Sequence, residues 1–98
     1  MTAEMLHQIE EEIGSHERFV LGKRTEYKLF RGVCNDRVGY LIGISRDGES
    51  EKAFVGEDFL GVAVLFAQIV RGEVLPCTLA EIAEDFRKEE KIYRDKNS

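Results

Sequence analysis

The chain has 98 residues, which is room for one domain and one hydrophobic core. Its 43% hydrophobic and 34% charged residues are typical of a folded globular domain and argue against a disordered chain. Lys and Arg total 14 against 19 Asp and Glu, for a formal net charge of -5. This acidic balance argues against binding to nucleic acid and against adsorption to an anionic membrane, because both require clustered cations.

The sequence also predicts a cytoplasmic location. Residues 1–14 include four glutamates and lack the apolar stretch of a signal peptide. The most apolar segment, residues 59–70, is shorter than the roughly 20 residues that span a bilayer. In a reducing cytosol we expect Cys34 and Cys77 to be free thiols packed as small hydrophobic side chains. The alternative is a disulfide between the sheet and the loop before the last helix.

The first predicted element is a short amphipathic helix over residues 2–13, capped by Thr2. Its apolar residues recur at helical spacing, as Met5, Leu6, Ile9 and Ile13. Gly14 and Ser15 end it. Because short helices are marginal in isolation, this helix needs a partner surface.

From Glu17 the apolar pattern changes to a period of two, which predicts an antiparallel β-meander over residues 17–56. The strands are predicted at residues 18–21, 25–34, 38–45 and 51–55. The pair Asp47-Gly48, between the last two strands, is typical of a two-residue hairpin turn. The other turns are predicted at Gly22-Lys23 and Asn35-Asp36.

The third predicted strand has one face with little side-chain volume. Gly39, Leu41 and Gly43 alternate there with larger apolar residues on the opposite face. Two interpretations are open: another element packs close to the backbone, or this face is thin and exposed.

Two helices are predicted after the sheet, over residues 58–93. The first covers Phe59–Arg71, with Asp58 as N-cap and Gly72 at the C′ position. The second follows Pro76 and begins at Thr78 with a capping box, and residues 94–98 are predicted to fray. The predicted fold is therefore a single α+β domain over residues 1–98. It has an antiparallel β-meander of three to four strands, with an N-terminal helix and two C-terminal helices packed on one face.

The first of these helices is apolar on two opposite sides. One stripe, which the sheet can cover, contains Phe59, Val62, Phe66, Ile69 and Val70. The second stripe contains Leu60, Val64 and Ala67. A helix that is apolar on two sides must be buried on two sides, so the second stripe needs either the N-terminal helix or another protein copy.

Four short segments resemble one known family. They are residues 26–29 (EYKL), 39–44 (GYLIGI), 74–79 (VLPCTL) and 82–86 (IAEDF). Together they are similar to an uncharacterised family of small Firmicutes proteins, known only as a domain of unknown function. The resemblance implies a strand meander followed by two helices, and it supplies no activity, cofactor or catalytic residue. The N-terminal helix and the apolar residues 59–70 depart from the family's pattern.

The sequence contains no signature of catalysis, metal binding or nucleotide binding. A P-loop, a dinucleotide-binding glycine pattern and an HExxH motif are all absent from it. His7 and Glu11 have the spacing of two helical metal ligands, but a site needs three or four, so an exposed pair is the better interpretation. We therefore predict no catalytic, cofactor or metal residue and favour a protein that is not an enzyme.

Three functions are compatible with these residues. The leading hypothesis is a protein-interaction module, self-associating as a homodimer, with Leu60, Val64 and Ala67 in its interface. The second is an acidic decoy or inhibitor, which presents the glutamates of the first and last helices to a basic partner. The third is a small-molecule site lined by Tyr27 and Tyr40. In the leading hypothesis the partner is a protein, the same chain or another, and neither nucleic acid nor membrane.

Overall fold

The computed structural model describes the backbone of residues 9–34 and 36–97, and the side chains of residues 10–33 and 36–89. Four strands come first: β1 (Ile9–Val20), β2 (Lys23–Cys34), β3 (Arg37–Arg46) and β4 (Glu49–Gly56). Two helices follow, α1 (Phe59–Arg71) and α2 (Leu79–Asn97), with a short 3-10 turn at Pro76–Thr78. The α+β fold class and the order of four strands before two helices agree with the prediction.

The strands form one antiparallel sheet in the order β1-β2-β3-β4, so each strand pairs with its neighbours in sequence. Asp47 and Gly48 form the predicted turn, with φ angles of 48° and 85° that a type I′ hairpin requires. The first turn is at Leu21 and Gly22, with φ angles of 53° and 81°, one residue earlier than predicted. The earlier turn leaves Lys23 in β2, where it pairs with Val20.

The two hairpin turns lie at the same end of the sheet. The Lys23 ammonium binds the Asp47 carboxylate across this end. That hydrogen bond and the positive charge lower the pKa of the Asp47 carboxyl below its ordinary value. The ion pair joins the β1–β2 turn to the β3–β4 turn, although both side chains are largely exposed and its contribution to stability is small.

The prediction of an N-terminal helix is wrong over residues 9–13, which belong to β1; residues 2–8 of that helix lie outside the described residues. The spacing of the isoleucines suits a helix, but as a strand beside β2 the glutamates gain cationic neighbours on β2 and β4. The carboxylates of Glu10, Glu11 and Glu12 lie 2.8, 3.6 and 3.4 Å from Lys52, Arg31 and Lys28, respectively. A short helix without a partner surface is marginal, so the strand is the more stable alternative.

Both helices contribute to a core on one face of the sheet. Strands β2, β3 and β4 supply every second residue, as a sheet with one buried face requires. The buried residues of the sheet are Tyr27, Leu29, Ile42, Ile44 and Val55. The helices meet them with Val62, Leu65, Phe66, Ile69 and Val70 of α1 and with Leu79 and Ala83 of α2.

Tyr27 joins the sheet to the loop that follows α1. Its side chain is fully buried, and its hydroxyl donates a hydrogen bond to the Val74 carbonyl at 2.9 Å. A buried tyrosine needs such an acceptor for its O–H group. Burial raises the pKa of the Tyr27 phenol, and the negative charge of Glu73 raises it further.

The glycines of β3 lie on the sheet face opposite the helical layer, beneath aromatic rings of neighbouring strands. A side chain at Gly39 would collide with the ring of Phe54 on β4. A Cβ atom at Gly43 would lie 3.2 Å from the ring of Phe30 on β2. The backbone at these glycines is therefore covered by aromatic rings of adjacent strands, and not by another element as one interpretation of the sequence proposed.

Helix α1 is capped at both ends. At its start Asp58 accepts a hydrogen bond from the Gly61 N–H at 3.0 Å, which confirms the predicted N-cap. At its end Gly72 is the C-cap residue, with a right-handed φ of -82°, and Glu73 adopts the left-handed conformation with a φ of 53°. The prediction of Gly72 at C′ is therefore wrong by one residue.

The bonds after α1 form a Schellman motif. The Val74 N–H donates to the Ile69 carbonyl at 3.2 Å, and the Glu73 N–H donates to the Val70 carbonyl at 3.1 Å. This arrangement places Glu73 at C′, where a residue with a Cβ atom is strained.

Helix α2 begins directly after Thr78 and continues to Asn97, beyond residue 93 at which the sequence predicted its end. Glu, Lys and Arg dominate its last turns, and these residues have high helix propensity.

Replacing Tyr27 by Phe tests the link between the sheet and the loop. The Val74 carbonyl loses its donor, so we expect the free energy of unfolding in urea to fall by about 1–2 kcal/mol at pH 7. Because the folded pKa of Tyr27 is raised, its stabilising effect is present below about pH 10 and is lost as pH rises through that folded value. The gap between the wild type and Y27F should therefore narrow at alkaline pH. A constant gap from pH 7 to pH 11 would contradict this account.

Replacing Glu73 by Gly tests the strain at the end of α1. Glycine adopts the left-handed conformation without steric cost, so we expect E73G to raise the free energy of unfolding by about 0.5–1 kcal/mol. The matched control is E73A, which loses the same 3.3 Å ion pair with Arg18 but keeps a Cβ atom. Equal stabilities of the two variants would show that the conformation at position 73 is unimportant.

Candidate functional site

The predicted interface residues lie on the outward side of α1. The side chains of Leu60 and Val64 are 74% and 58% exposed, and Ala67 is also exposed. We call these three residues the outer face of α1. The structure brings all three together on one accessible surface.

The helical period explains this position. Val62, Phe66 and Ile69 point into the core, and at 100° per residue positions 60, 64 and 67 fall on the opposite side. Helix α2 lies beside α1 rather than above it: a Cβ atom at Gly61 would lie 3.4 Å from the Phe86 ring. Of the two covers predicted for this face, the N-terminal helix is ruled out for residues 9–13, because those residues are in β1.

The apolar surface continues beyond the outer face of α1. Phe59, which was predicted to belong to the buried stripe, is 46% exposed. Its ring packs against Tyr40, with the ring centroids 5.5 Å apart, and Val38 on the same strand is 38% exposed. Sequence reasoning missed this extension, because Phe59 opens the helix and the sheet does not cover it fully.

Opposite charges stand at the two ends of α1. Glu57 and Asp58 precede the helix, and Arg71 is its last residue; all three are exposed. Glu57 lies 3.1 Å from Arg37, and Asp58 caps the helix. Arg71 makes no ion pair with the residues whose side chains are described. An acidic start and a basic end also suit the helix dipole.

The predicted acidic surface is largely balanced by nearby cations. Besides the three glutamates of β1 that face Lys52, Arg31 and Lys28, Glu17 binds Arg24 on the neighbouring strand. This contact raises the pKa of the Arg24 guanidinium. The carboxylates therefore sit in ion pairs within their own sheet, whereas Glu81 and Glu84 remain exposed on α2.

The tyrosine pair predicted to line a pocket lies within the fold. Tyr27 is buried with its hydroxyl bound to the Val74 carbonyl, and Tyr40 packs against Phe59. A separate shallow depression of about 190 Å³ occupies the open face of the sheet. The Lys52 ammonium stands 4.2 Å from the centroid of the Phe30 ring there and binds Glu10. These charges neutralise one another and do not converge on a common point.

The residues considered for metal or thiol chemistry do not assemble into a site. In the described part of the chain, no group of three or more His, Cys, Asp or Glu side chains could hold a metal ion. Glu11 is on β1 beside Arg31 rather than on a helix, and His7 lies outside the described residues. Cys77 is a free, exposed thiol, so its predicted burial and the alternative disulfide are both wrong. The side chain of Cys34 is not described.

No family model, curated protein or solved structure matches this chain. The resemblance to the Firmicutes family therefore stays a prediction. Within the described residues, neither helix is long and apolar enough to cross a membrane.

Removing the N-cap tests how firmly α1 presents its outer face. In Asp58→Ala the Gly61 N–H loses its acceptor, and we expect the free energy of unfolding to fall by about 1 kcal/mol. Asp58→Asn is the matched control, because asparagine caps helices about as well as aspartate does. Urea denaturation followed by circular dichroism measures both. A loss as large in D58N as in D58A would show that the charge, not the cap, is responsible.

Proposed function

We propose that this protein is a non-enzymatic, cytoplasmic protein-interaction module that self-associates through the outer face of α1. The exposure of Leu60 and Val64 on one side of a capped helix is the observation that carries the proposal. An aliphatic side chain contributes about 1.5–3 kcal/mol when it is fully removed from water. Two such side chains on a helix that is already ordered can contribute to binding at little conformational cost.

The arrangement of the other candidate residues supports this function over the two alternatives. An acidic decoy needs carboxylates that are available to a basic partner. Those of Glu10, Glu11 and Glu12 already face cations, which leaves this function only the carboxylates of α2, such as Glu81 and Glu84. A small-molecule site needs polar groups that converge in a cavity. The Tyr27 hydroxyl is used within the core, and the charges around Lys52 pair with each other.

The apolar extension around Phe59 strengthens the case for a protein partner. The rings of Phe59 and Tyr40, with the side chain of Val38, form an exposed or half-exposed apolar edge at the start of α1. Aromatic side chains are enriched in protein interfaces. In the family that the sequence resembles, relatives would share the meander and the two helices, while this apolar surface would be specific to this chain.

Placing a charge at the centre of the surface tests the proposal. In Val64→Glu the new carboxylate would lose water on association, so we expect the dissociation constant of the self-associated form to rise at least tenfold, which is about 1.4 kcal/mol. Size-exclusion chromatography with light scattering over a concentration series measures the mass. Circular dichroism and urea denaturation check that V64E keeps its fold.

Ala80→Glu is the matched control, because it adds the same charge at an exposed position on the other helix. It should leave the mass unchanged at every concentration. If V64E folds and associates as the wild type does, the outer face of α1 is not the contact surface. If the wild type stays monomeric up to the highest soluble concentration, self-association is wrong.

A further inference from the structure

We infer that β1 opens as a unit while the rest of the sheet stays folded, and that this opening enlarges the apolar surface beside the outer face of α1. The inference concerns a conformational device within the fold, and it does not depend on the proposed function. Three features of β1 carry it: its small share of the core, the exposed ion pairs that attach it, and its position at an edge of the sheet.

Strand β1 contributes little to the core. Of its described residues, only Val20 is buried and only Gly14 is half-buried. The facing strand β2, in contrast, buries Thr25, Tyr27 and Leu29. Burial of apolar surface is the dominant favourable contribution to folding. Separation of β1 from β2 therefore costs much less free energy than unfolding of the core.

The ion pairs of β1 add little to its attachment. Five of them join β1 to other parts of the described chain, and their side chains are 38% to 65% exposed. Exposed pairs of this kind contribute little to stability. The backbone hydrogen bonds to β2 are therefore the main attachment of β1. The five pairs are Glu10–Lys52, Glu11–Arg31, Glu12–Lys28, Glu17–Arg24 and Arg18–Glu73.

The position of β1 leaves it with a single neighbour in the sheet. The strand lies at one edge and pairs with β2 alone. A bulge between Glu12 and Gly14 interrupts even this pairing. The strand at the other edge, β4, packs against α2, and the Arg87 guanidinium donates a hydrogen bond to the Phe54 carbonyl there. Of the two edge strands, β1 is thus the less firmly attached.

Opening of β1 uncovers Phe66 on α1. The Phe66 side chain is 7% exposed, and the centroid of its ring lies 6.0 Å from that of His16 on β1. The backbone of Gly14 covers the ring as well, since a Cβ atom there would lie 3.9 Å from it. Phe66 directly precedes Ala67 of the outer face of α1. The open state therefore adds an aromatic ring to the apolar surface that α1 presents.

Strand β2 carries reporters for this opening. In a two-residue hairpin, the pair that flanks the turn exchanges both backbone hydrogen bonds. These flanking pairs are Val20 with Lys23 and Cys34 with Arg37. Because bonded pairs recur at every second residue, the odd-numbered amides of β2 bond to β1 and the even-numbered amides bond to β3.

Amide hydrogen exchange followed by NMR tests the separate opening. The amides of Thr25 and Tyr27 lose their partners when β1 opens, whereas those of Glu26 and Lys28 keep theirs. After correction for the intrinsic exchange rate of each residue, the first two should exchange at least tenfold faster than the second two in the wild-type chain. Equal protection of all four would mean that β1 leaves the sheet only on global unfolding, which would overturn the inference.

A disulfide that ties β1 to β2 provides the matched comparison. Ser15 and Lys28 face each other as a non-hydrogen-bonded pair, whose Cα atoms lie about 4.5 Å apart in an antiparallel ladder. In a Cys34→Ser, Cys77→Ser background, Ser15→Cys with Lys28→Cys therefore has the spacing of a disulfide. Oxidation should slow the amides that face β1 to the rate of those that face β3, and reduction should restore the difference. A difference that persists in the oxidised variant would exclude β1 opening as its cause.

Methionine oxidation tests the exposure of position 66. Phe66→Met and Leu65→Met place a flexible, oxidisable side chain at two adjacent sites, whose native residues are 7% and 8% exposed. Under hydrogen peroxide, F66M should be oxidised at least tenfold faster than L65M, as mass spectrometry of the peptides measures. Urea denaturation checks that the two variants have similar stability. Equal oxidation rates, with fast exchange of the amides that face β1, would show that the strand opens without uncovering Phe66.

Discussion

Helix α1 has one surface to pack against and apolar residues on two sides, and most features of the molecule follow from that mismatch. Its inner stripe, centred on Val62 and Ile69, fills the space over β2 and β3 and meets Leu29 and Ile42 in the core. Both helices lie on the same face of the sheet. No further layer of the described residues lies over α1 to cover its outer stripe. The helix that closes the core therefore also presents Leu60 to solvent. Under the proposed function, the same 13 residues would serve both the stability of the core and association.

Alternation along the strands made most of the sheet predictable. A shift of one residue would turn Tyr27 and Ile42 away from the core, so the apolar pattern strongly restricts the register of β2 and β3. Turn chemistry and capping are equally local, and Asp47 and Asp58 adopt the roles expected of them. The first half of β1 could not be assigned in this way. Glu10 finds Lys52 at a distance of 42 residues in sequence, and no local pattern encodes that contact.

Local sequence patterns predicted the candidate site only in part. Period alone identified Leu60, Val64 and Ala67 as the side of α1 that faces away from the core. It assigned Phe59 to the buried stripe because a helical projection assumes that the sheet covers the whole length of the helix. At the first residue that assumption fails, and the ring rests against Tyr40 with nearly half its surface in solvent.

The glycines under aromatic rings have a consequence for how this sequence can diverge. On the open face of the sheet, the Phe54 ring fills the space that a side chain at Gly39 would need. Gly43 and the Phe30 ring lie in close contact beside them. A larger residue at position 39 displaces the ring at position 54 unless that residue becomes smaller at the same time. The two positions are 15 residues apart in sequence, yet they are sterically coupled because they lie on adjacent strands. A larger side chain on the open face therefore requires a matching loss of volume at its neighbour across the strands.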